Sequence, residues 1–321
     1  MTLTEGPREA AARPDAPEPA PRGRRRRSGR LWQLLALPGV AWLVVFFVLP
    51  LYLVLAIVFG SVDPLFRTPV PVWNPLDWDT TVFLHVLRET FTPGGLFGAA
   101  LLRTIGYVLA ASAMCVLIAF PIAYYVARLA GRRRGLLLAL LIAPFWISYM
   151  MRMLAWVNLL ARDGLVNRVI SLNGLIDVQP NWLSGNAPVV VLGLVYGYVP
   201  YMIVPLYAGL DRLPQSVLEA ARDLGASRAS SFWRVTLPMC RPTIVAAVLL
   251  TCLPMLGDYF TNDLLSASPG TSMVGNLINT TVLTPGQTGQ AGAFVLLVLL
   301  VSLLPMIYYV RSVSRNDGAL G

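Results

Sequence analysis

An all-α fold embedded in a membrane, with six spanning helices, is what this 321-residue sequence predicts. Three observations carry that expectation. Apolar residues make up 56% of the chain against 13% charged, too few charges to cover a soluble surface of this size. The apolar residues gather into long runs separated by short polar stretches. The arginines concentrate on alternate connections between those runs.

The elements follow in order. Residues 1–30 are rich in Ala, Pro and Arg with almost no large apolar side chains, and read as a disordered cytoplasmic tail. Residues 31–321 form the membrane domain. Its first run, about 31–60, is too long for a signal-peptide core and has no small-residue cleavage site, so it is expected to stay as a spanning helix. Five further spans fall at about 100–128, 135–160, 187–210, 240–260 and 290–312. Each can cross a ~30 Å hydrocarbon layer at about 1.5 Å per residue. Pro144, Pro200 and Pro205 lie inside the third and fourth spans, tolerable only where neighbouring helices re-satisfy the freed carbonyls. Gly193 and Gly197 make a GxxxG pair that lets helices approach closely.

Orientation follows from charge. Connections expected inside carry Arg24 to Arg27 with Arg30, then Arg128 with Arg132 to Arg134, then Arg212, Arg222, Arg228, Arg234 and Arg241, and finally Arg311 and Arg315. Those expected outside carry only Arg67, Arg88, Arg162 and Arg168, while Asp63, Asp77, Asp79 and Glu89 crowd the first of them. Both termini are therefore expected in the cytoplasm. The net charge of +9 does not point to nucleic acid, because no basic face is interleaved with base-stacking aromatics. Cys115, Cys240 and Cys252 make neither a disulfide framework nor metal-ligand spacing. His85 stands alone in the first outer connection. No metal site and no catalytic constellation is expected. The inverted repeat and midplane ionisable groups of a secondary transporter are not visible either.

The fourth connection, 211–241, is the most informative stretch. It begins with a helix-favouring run after Pro214, containing Glu219, Ala220, Ala221, Arg222 and Asp223. Gly225 permits the positive backbone angle that ends such a helix. A second amphipathic segment, Ser227 to Val235, leads to Leu237 and Pro238 at the membrane. A helix–turn–helix in a cytoplasmic connection reads as a docking element for another protein.

Glu-Ala-Ala, three residues, Gly, nine residues, a branched apolar residue, one residue and then Leu-Pro resembles the signature loop of binding-protein-dependent ABC importer permeases. Here the residues are Glu219 to Ala221, Gly225, Val235 and Leu237–Pro238. The resemblance covers about 99–312 and implies the type I importer permease fold. It also implies that this loop, through Glu219, Ala220, Ala221, Asp223, Gly225, Leu237 and Pro238, forms a coupling helix seated in a dimeric ATPase subunit. The other partners it implies are a second permease, a paralogue in this branch, and a solute-binding protein outside the bacterial cytoplasmic membrane. Within the family, Pro144 to Tyr149 followed by Arg152, Leu218 to Ser227, and Asp263-Leu264 followed by Gly275 to Ile278 are similar to spermidine/putrescine permeases. Related branches carry opines or aminophosphonates. The chain contains no lysine, so the phosphate-binding GxxxxGK[ST] loop cannot form anywhere in it. ATP and Mg2+ belong to the partner ATPase, and this chain is expected to hold no cofactor.

Two charges within the spans stand out. Arg152 is placed about 25 Å above the Arg132–Arg134 cluster, and Asp258 at similar depth above Arg241, at 1.5 Å per residue. Equal depth and opposite sign predict a pair. It is either a salt bridge that only holds helices together, or a gate whose acidic half, with Tyr259 and Asp263, faces a cationic substrate. Tyr196, Tyr198 and Tyr201 are placed along the path or at the interface.

Overall fold

The computed structural model describes residues 28–172 and 180–317, with side chains from 35 to 311 outside that gap. The tail expected at 1–30 lies almost wholly outside the described residues. Two compact units divide at residue 52.

The first unit is helical from α1 (Ser28–Leu43) through a π turn at Val44–Val48 into the start of α2 (Leu49–Val58). Its apolar side chains are exposed, with Trp42 and Phe46 in ring contact at 4.1 Å. Leu35–Val58 is long and apolar enough to cross a membrane.

The second unit opens with a two-residue antiparallel pairing, β1 (Ser61–Val62) with β2 (Pro69–Val70). Asp63 closes its turn by accepting from the amides of Leu65 and Phe66, which hold its carboxyl below the usual value. The helices that follow are α3 (Thr81–Phe91), α4 (Leu96–Arg128), α5 (Arg134–Ile142), α6 (Tyr149–Leu160) and α7 (Leu165–Leu172). After the gap come α8 (Ala187–Asp211), α9 (Gln215–Asp223), α10 (Arg228–Ser231), α11 (Leu237–Leu256), α12 (Phe260–Leu265), α13 (Val274–Leu283) and α14 (Thr288–Asp317).

The core lies where α4, α8 and α11 pack, with Ala111, Cys115, Ala119, Leu194, Met202, Leu206, Cys240 and Ala247 buried together. The cysteines are small packing residues, as expected. Glycines set the helix spacing. A Cβ on Gly209 would meet Thr243 at 2.2 Å, and one on Gly193 would meet Leu265 at 2.4 Å. A second cluster under α3 and α14 centres on Phe294 and Phe97, whose rings are 4.6 Å apart.

Two expectations need correction. The third span is not one helix: its halves, Gly131–Trp146 and Tyr149–Leu172, meet at 83°. Pro144 sits in a tight 3-10 turn, Ala143–Trp146, and the next two residues are extended, Ile147 at ψ 136° and Ser148 at ψ 140°. Depth therefore cannot be counted along it at 1.5 Å per residue. The fifth span is also longer than expected and ends earlier, running as one helix over Arg228–Leu256. The segment after Gly225 is thus not a separate helix ending at Pro238. A π turn at Phe232–Thr236 carries α10 into α11, with the Leu237 amide bonded to the Phe232 carbonyl. The wider turn absorbs the proline that would otherwise break the ladder.

Candidate functional site

Two regions at opposite ends of α8 and α11 hold the sequence-predicted residues. At one end, α9 stops on a fully formed Schellman cap. The Ala226 amide donates to the Ala221 carbonyl at 3.0 Å, the Gly225 amide to Arg222 at 2.8 Å, and Gly225 takes φ +83°. Ser227 then caps α10 by accepting from the Ser230 amide at 3.2 Å. Glu219, Ala220 and Asp223 face solvent on this hairpin. Gln215 Nε2 donates to Glu219 at 2.9 Å, one turn back on the same helix. Leu224 is 89% exposed and Trp233 65%, leaving apolar surface uncovered beside the carboxylates. Leu237 and Pro238 are elsewhere: they are partly buried in α11, and Leu237 packs on the core. Arg128 clamps the far end of α8, its Nη2 donating to the carbonyls of Leu210 and Leu213 at 2.7 and 2.8 Å. Behind the hairpin a cavity of about 620 Å3 is bounded by Arg128, Glu219, Arg222 and Arg228.

At the other end, Asp258 is 6% exposed and accepts three hydrogen bonds. They come from Tyr149 Oη at 2.7 Å, the Thr261 amide at 3.0 Å and Thr261 Oγ1 at 2.7 Å. These three donors satisfy the buried carboxyl group without an arginine. Arg152 is equally buried but makes no ion pair with Asp258. Its guanidinium lies over the Phe145 ring at 4.3 Å and the Tyr149 ring at 5.4 Å. The expected pair is therefore replaced by a three-part arrangement in which Tyr149 stands between the two charges. The helix break puts it there, because Tyr149 is the first residue of α6 after the bend.

Gly197 makes the arrangement possible. A Cβ there would lie 2.7 Å from the Tyr149 ring, so the second glycine of the GxxxG pair is space for that tyrosine. Tyr198 extends the aromatic wall, 6.0 Å from both Tyr149 and Tyr201, and Tyr201 is 57% exposed. Tyr259 and Asp263 belong to a neighbouring network instead. Asn276 Nδ2 donates to the Tyr259 carbonyl at 2.8 Å and to the Asp263 carboxylate, while its Oδ1 accepts from Asn262 at 3.2 Å. Gly275 lets α13 abut Asp258: a Cβ on it would meet the Asp258 carbonyl at 2.9 Å.

Tyr149, Thr261 and Asn276 join these arrangements although their side chains carried no expectation from the sequence. Tyr149 and Asn276 sat inside quoted motifs with no role attached. The Asp258-x-x-Thr261 spacing is a helix-start signal that could have been read as such. No cluster of His, Cys, Asp or Glu among the described residues could hold a metal. His85 is exposed, with Glu89 Oε2 3.9 Å from its Nδ1.

Residues 94–317 match the family described as binding-protein-dependent transport system inner membrane component. The spermidine/putrescine transport system permease protein PotB of Haemophilus influenzae is 30% identical over 272 residues, covering 84% of this chain and 90% of its own length. The Escherichia coli protein of that name is 32% identical over 222 residues, 69% of this chain and 80% of the relative. The Escherichia coli inner membrane ABC transporter permease protein YdcU is 30% identical over 236 residues, 70% and 74% of the two chains. Among solved structures, a bacterial alginate ABC transporter with its pentasaccharide-bound periplasmic protein aligns at TM-score 0.64 and 18% identity, covering 88% of this chain and 93% of that one. The inward-facing MetNI methionine transporter aligns at 0.52 and 17%, covering 68% and 95%. These likenesses show the type I importer permease fold. The chain belongs to the binding-protein-dependent transport system inner membrane component family: it is a multi-pass inner-membrane permease subunit of an ABC importer, a transport component and not an enzyme.

Proposed function

We propose that this permease forms half of the path for a small organic polycation of the spermidine and putrescine class. The observation that carries the reading is the buried Asp258 carboxyl group, held by Tyr149 and Thr261 beside the aromatic wall of Tyr198 and Tyr201. Such a site suits an ammonium group: a carboxylate for its charge, ring faces for its methylene stem. The names of the curated relatives point the same way. The α9–α10 hairpin is the seat of a dimeric ATPase that binds ATP and Mg2+, with Glu219, Asp223 and the exposed Leu224 as contacts. A solute-binding protein delivers from the opposite face, and a second, non-identical permease completes the path. Both chain ends lie on the ATPase side.

Uptake by the assembled importer in proteoliposomes, with external binding protein and internal ATP, tests the solute. Asp258→Asn keeps the shape and is expected to cut putrescine and spermidine uptake at least tenfold while ATPase co-purification holds. Wild-type uptake by Asp258→Asn, or no uptake of either amine by the unaltered importer, overturns the polycation reading. Orientation has its own test. Single cysteines at Asp77 and Gln287 are expected to react with an impermeant maleimide added outside, and cysteines at Arg133 and Ser227 are not. Labelling at Ser227 from outside reverses the topology.

A further inference from the structure

Arg152 is a buried charge with two nitrogens unsatisfied. The residue is 6% exposed, and its Nε and Nη1 are enclosed with no hydrogen-bond partner among the described residues. The two ion pairs found among those residues, His85–Glu89 and Arg134–Asp211, do not include it. A guanidinium does not deprotonate in a protein, so burial here cannot be relieved by neutralisation. The Phe145 and Tyr149 rings cover part of it, which offsets only part of the lost hydration.

Arg152 borders a hollow of about 360 Å3, together with apolar side chains such as Ile118, Val195 and Val199. Phe145 and Pro200 also border a second hollow of about 550 Å3, which continues past Tyr201. Together the hollows follow α8 from Leu192 to Ala208, about 24 Å at 1.5 Å per residue. These walls do not suit a hydrated anion, which would lose its water for a single donor group. They suit an apolar helix that carries one acidic side chain.

A second copy of this chain offers no such side chain inside its apolar segments, and the acids at their ends already have partners. The segments 35–58, 96–128, 134–160, 187–210, 228–256 and 288–311 contain no Asp or Glu. Asp211, the last residue of α8, is paired with Arg134, and Asp258, two residues beyond α11, already accepts three hydrogen bonds. We propose that this groove seats a membrane helix of the second, non-identical permease, and that an Asp or Glu on that helix pairs with Arg152. The proposal rests on the permease reading above but is independent of the solute.

The test uses the importer purified through a tag on the second permease, co-expressed with this chain and the ATPase. Arg152→Gln is expected to lower recovery of this chain in the complex about tenfold, because the partner carboxylate is left buried and unpaired. Arg152→Lys keeps the charge and should lose less. Arg152→Glu is expected to be rescued when one acidic residue in the partner's spans, each changed to Arg in turn, is reversed. Cysteine at Val199, away from the charge, is expected to cross-link to the second permease and not to another copy of this chain. Undiminished recovery of Arg152→Gln, absence of any rescuing position, or cross-linking to this chain itself overturns the proposal. Equal loss of Arg152→Gln when the chain is expressed alone would assign Arg152 an internal structural role. Loss that depends on anionic lipid would assign it a lipid phosphate, and either result overturns the pairing. Failure of the permease reading is distinguishable, because the unaltered chain would then form no complex with the ATPase.

Discussion

The α9–α10 hairpin and the Asp258 cluster are both polar devices in a mostly apolar chain, yet they are built by different physics. The hairpin is local: its cap, its turn and its exposed carboxylates all lie within Gln215 to Ser231. Water satisfies whatever the backbone leaves open, so spacing alone specifies it. The Asp258 cluster is assembled from three distant stretches, Tyr149 on α6, Gly197 on α8, and Asp258 with Thr261 before and on α12. Little water reaches it, so every polar atom there needs a partner delivered by packing. A local device tolerates change to anything outside itself. A packed device fails when a residue that touches no substrate is enlarged.

That contrast can be broken by substitution. The largest effect is expected in the membrane. Gly197→Val puts carbon into the Tyr149 ring, and overpacking of this kind costs about 1–3 kcal/mol, on top of the hydrogen bond lost from Asp258. Tyr149→Phe isolates the second part, with an expected cost of about 1–3 kcal/mol for a buried acceptor that loses a donor. Thermal melting of the detergent-solubilised complex reads both. If Gly197→Val melts like the unaltered protein, the cluster is not held by packing. The smaller stability effect is expected in the hairpin. Gly225→Val forces a β-branched residue to φ +83°, a strain of about 1–3 kcal/mol confined to the turn, since nothing lies within 4 Å of the new Cβ. Melting should change little while ATPase co-purification and uptake fall, and Gly225→Asn should retain more of both. A large drop in melting temperature with normal ATPase binding would show that the hairpin is structural.

The legible parts of this protein are those governed by short-range rules. Span positions, the family signature and the turn at Gly225 follow from hydropathy, motif spacing and one residue that tolerates positive φ. The amphipathic segment Ser227 to Val235 and the span expected at 240–260 are one continuous helix, and nothing in the sequence announces the π turn that joins them. Counting depth along 135–160 failed for a related reason. Pro144 was seen, but an 83° bend depends on what α6 packs against after the proline.

By itself, then, the sequence determined that the chain crosses a membrane, which connections carry the arginine clusters, where the Gly225 hairpin lies and that no lysine exists to build a phosphate loop. Each of these depends on composition or on residues within one or two helical turns. Only the tertiary structure decided that Asp258 answers to Tyr149 and Thr261, that Gly197 exists to admit Tyr149, and that Arg152 is left facing an apolar groove. Partners in a water-poor interior are chosen by which helices bend toward each other, and that choice is made by packing across more than a hundred residues of chain rather than by spacing along it.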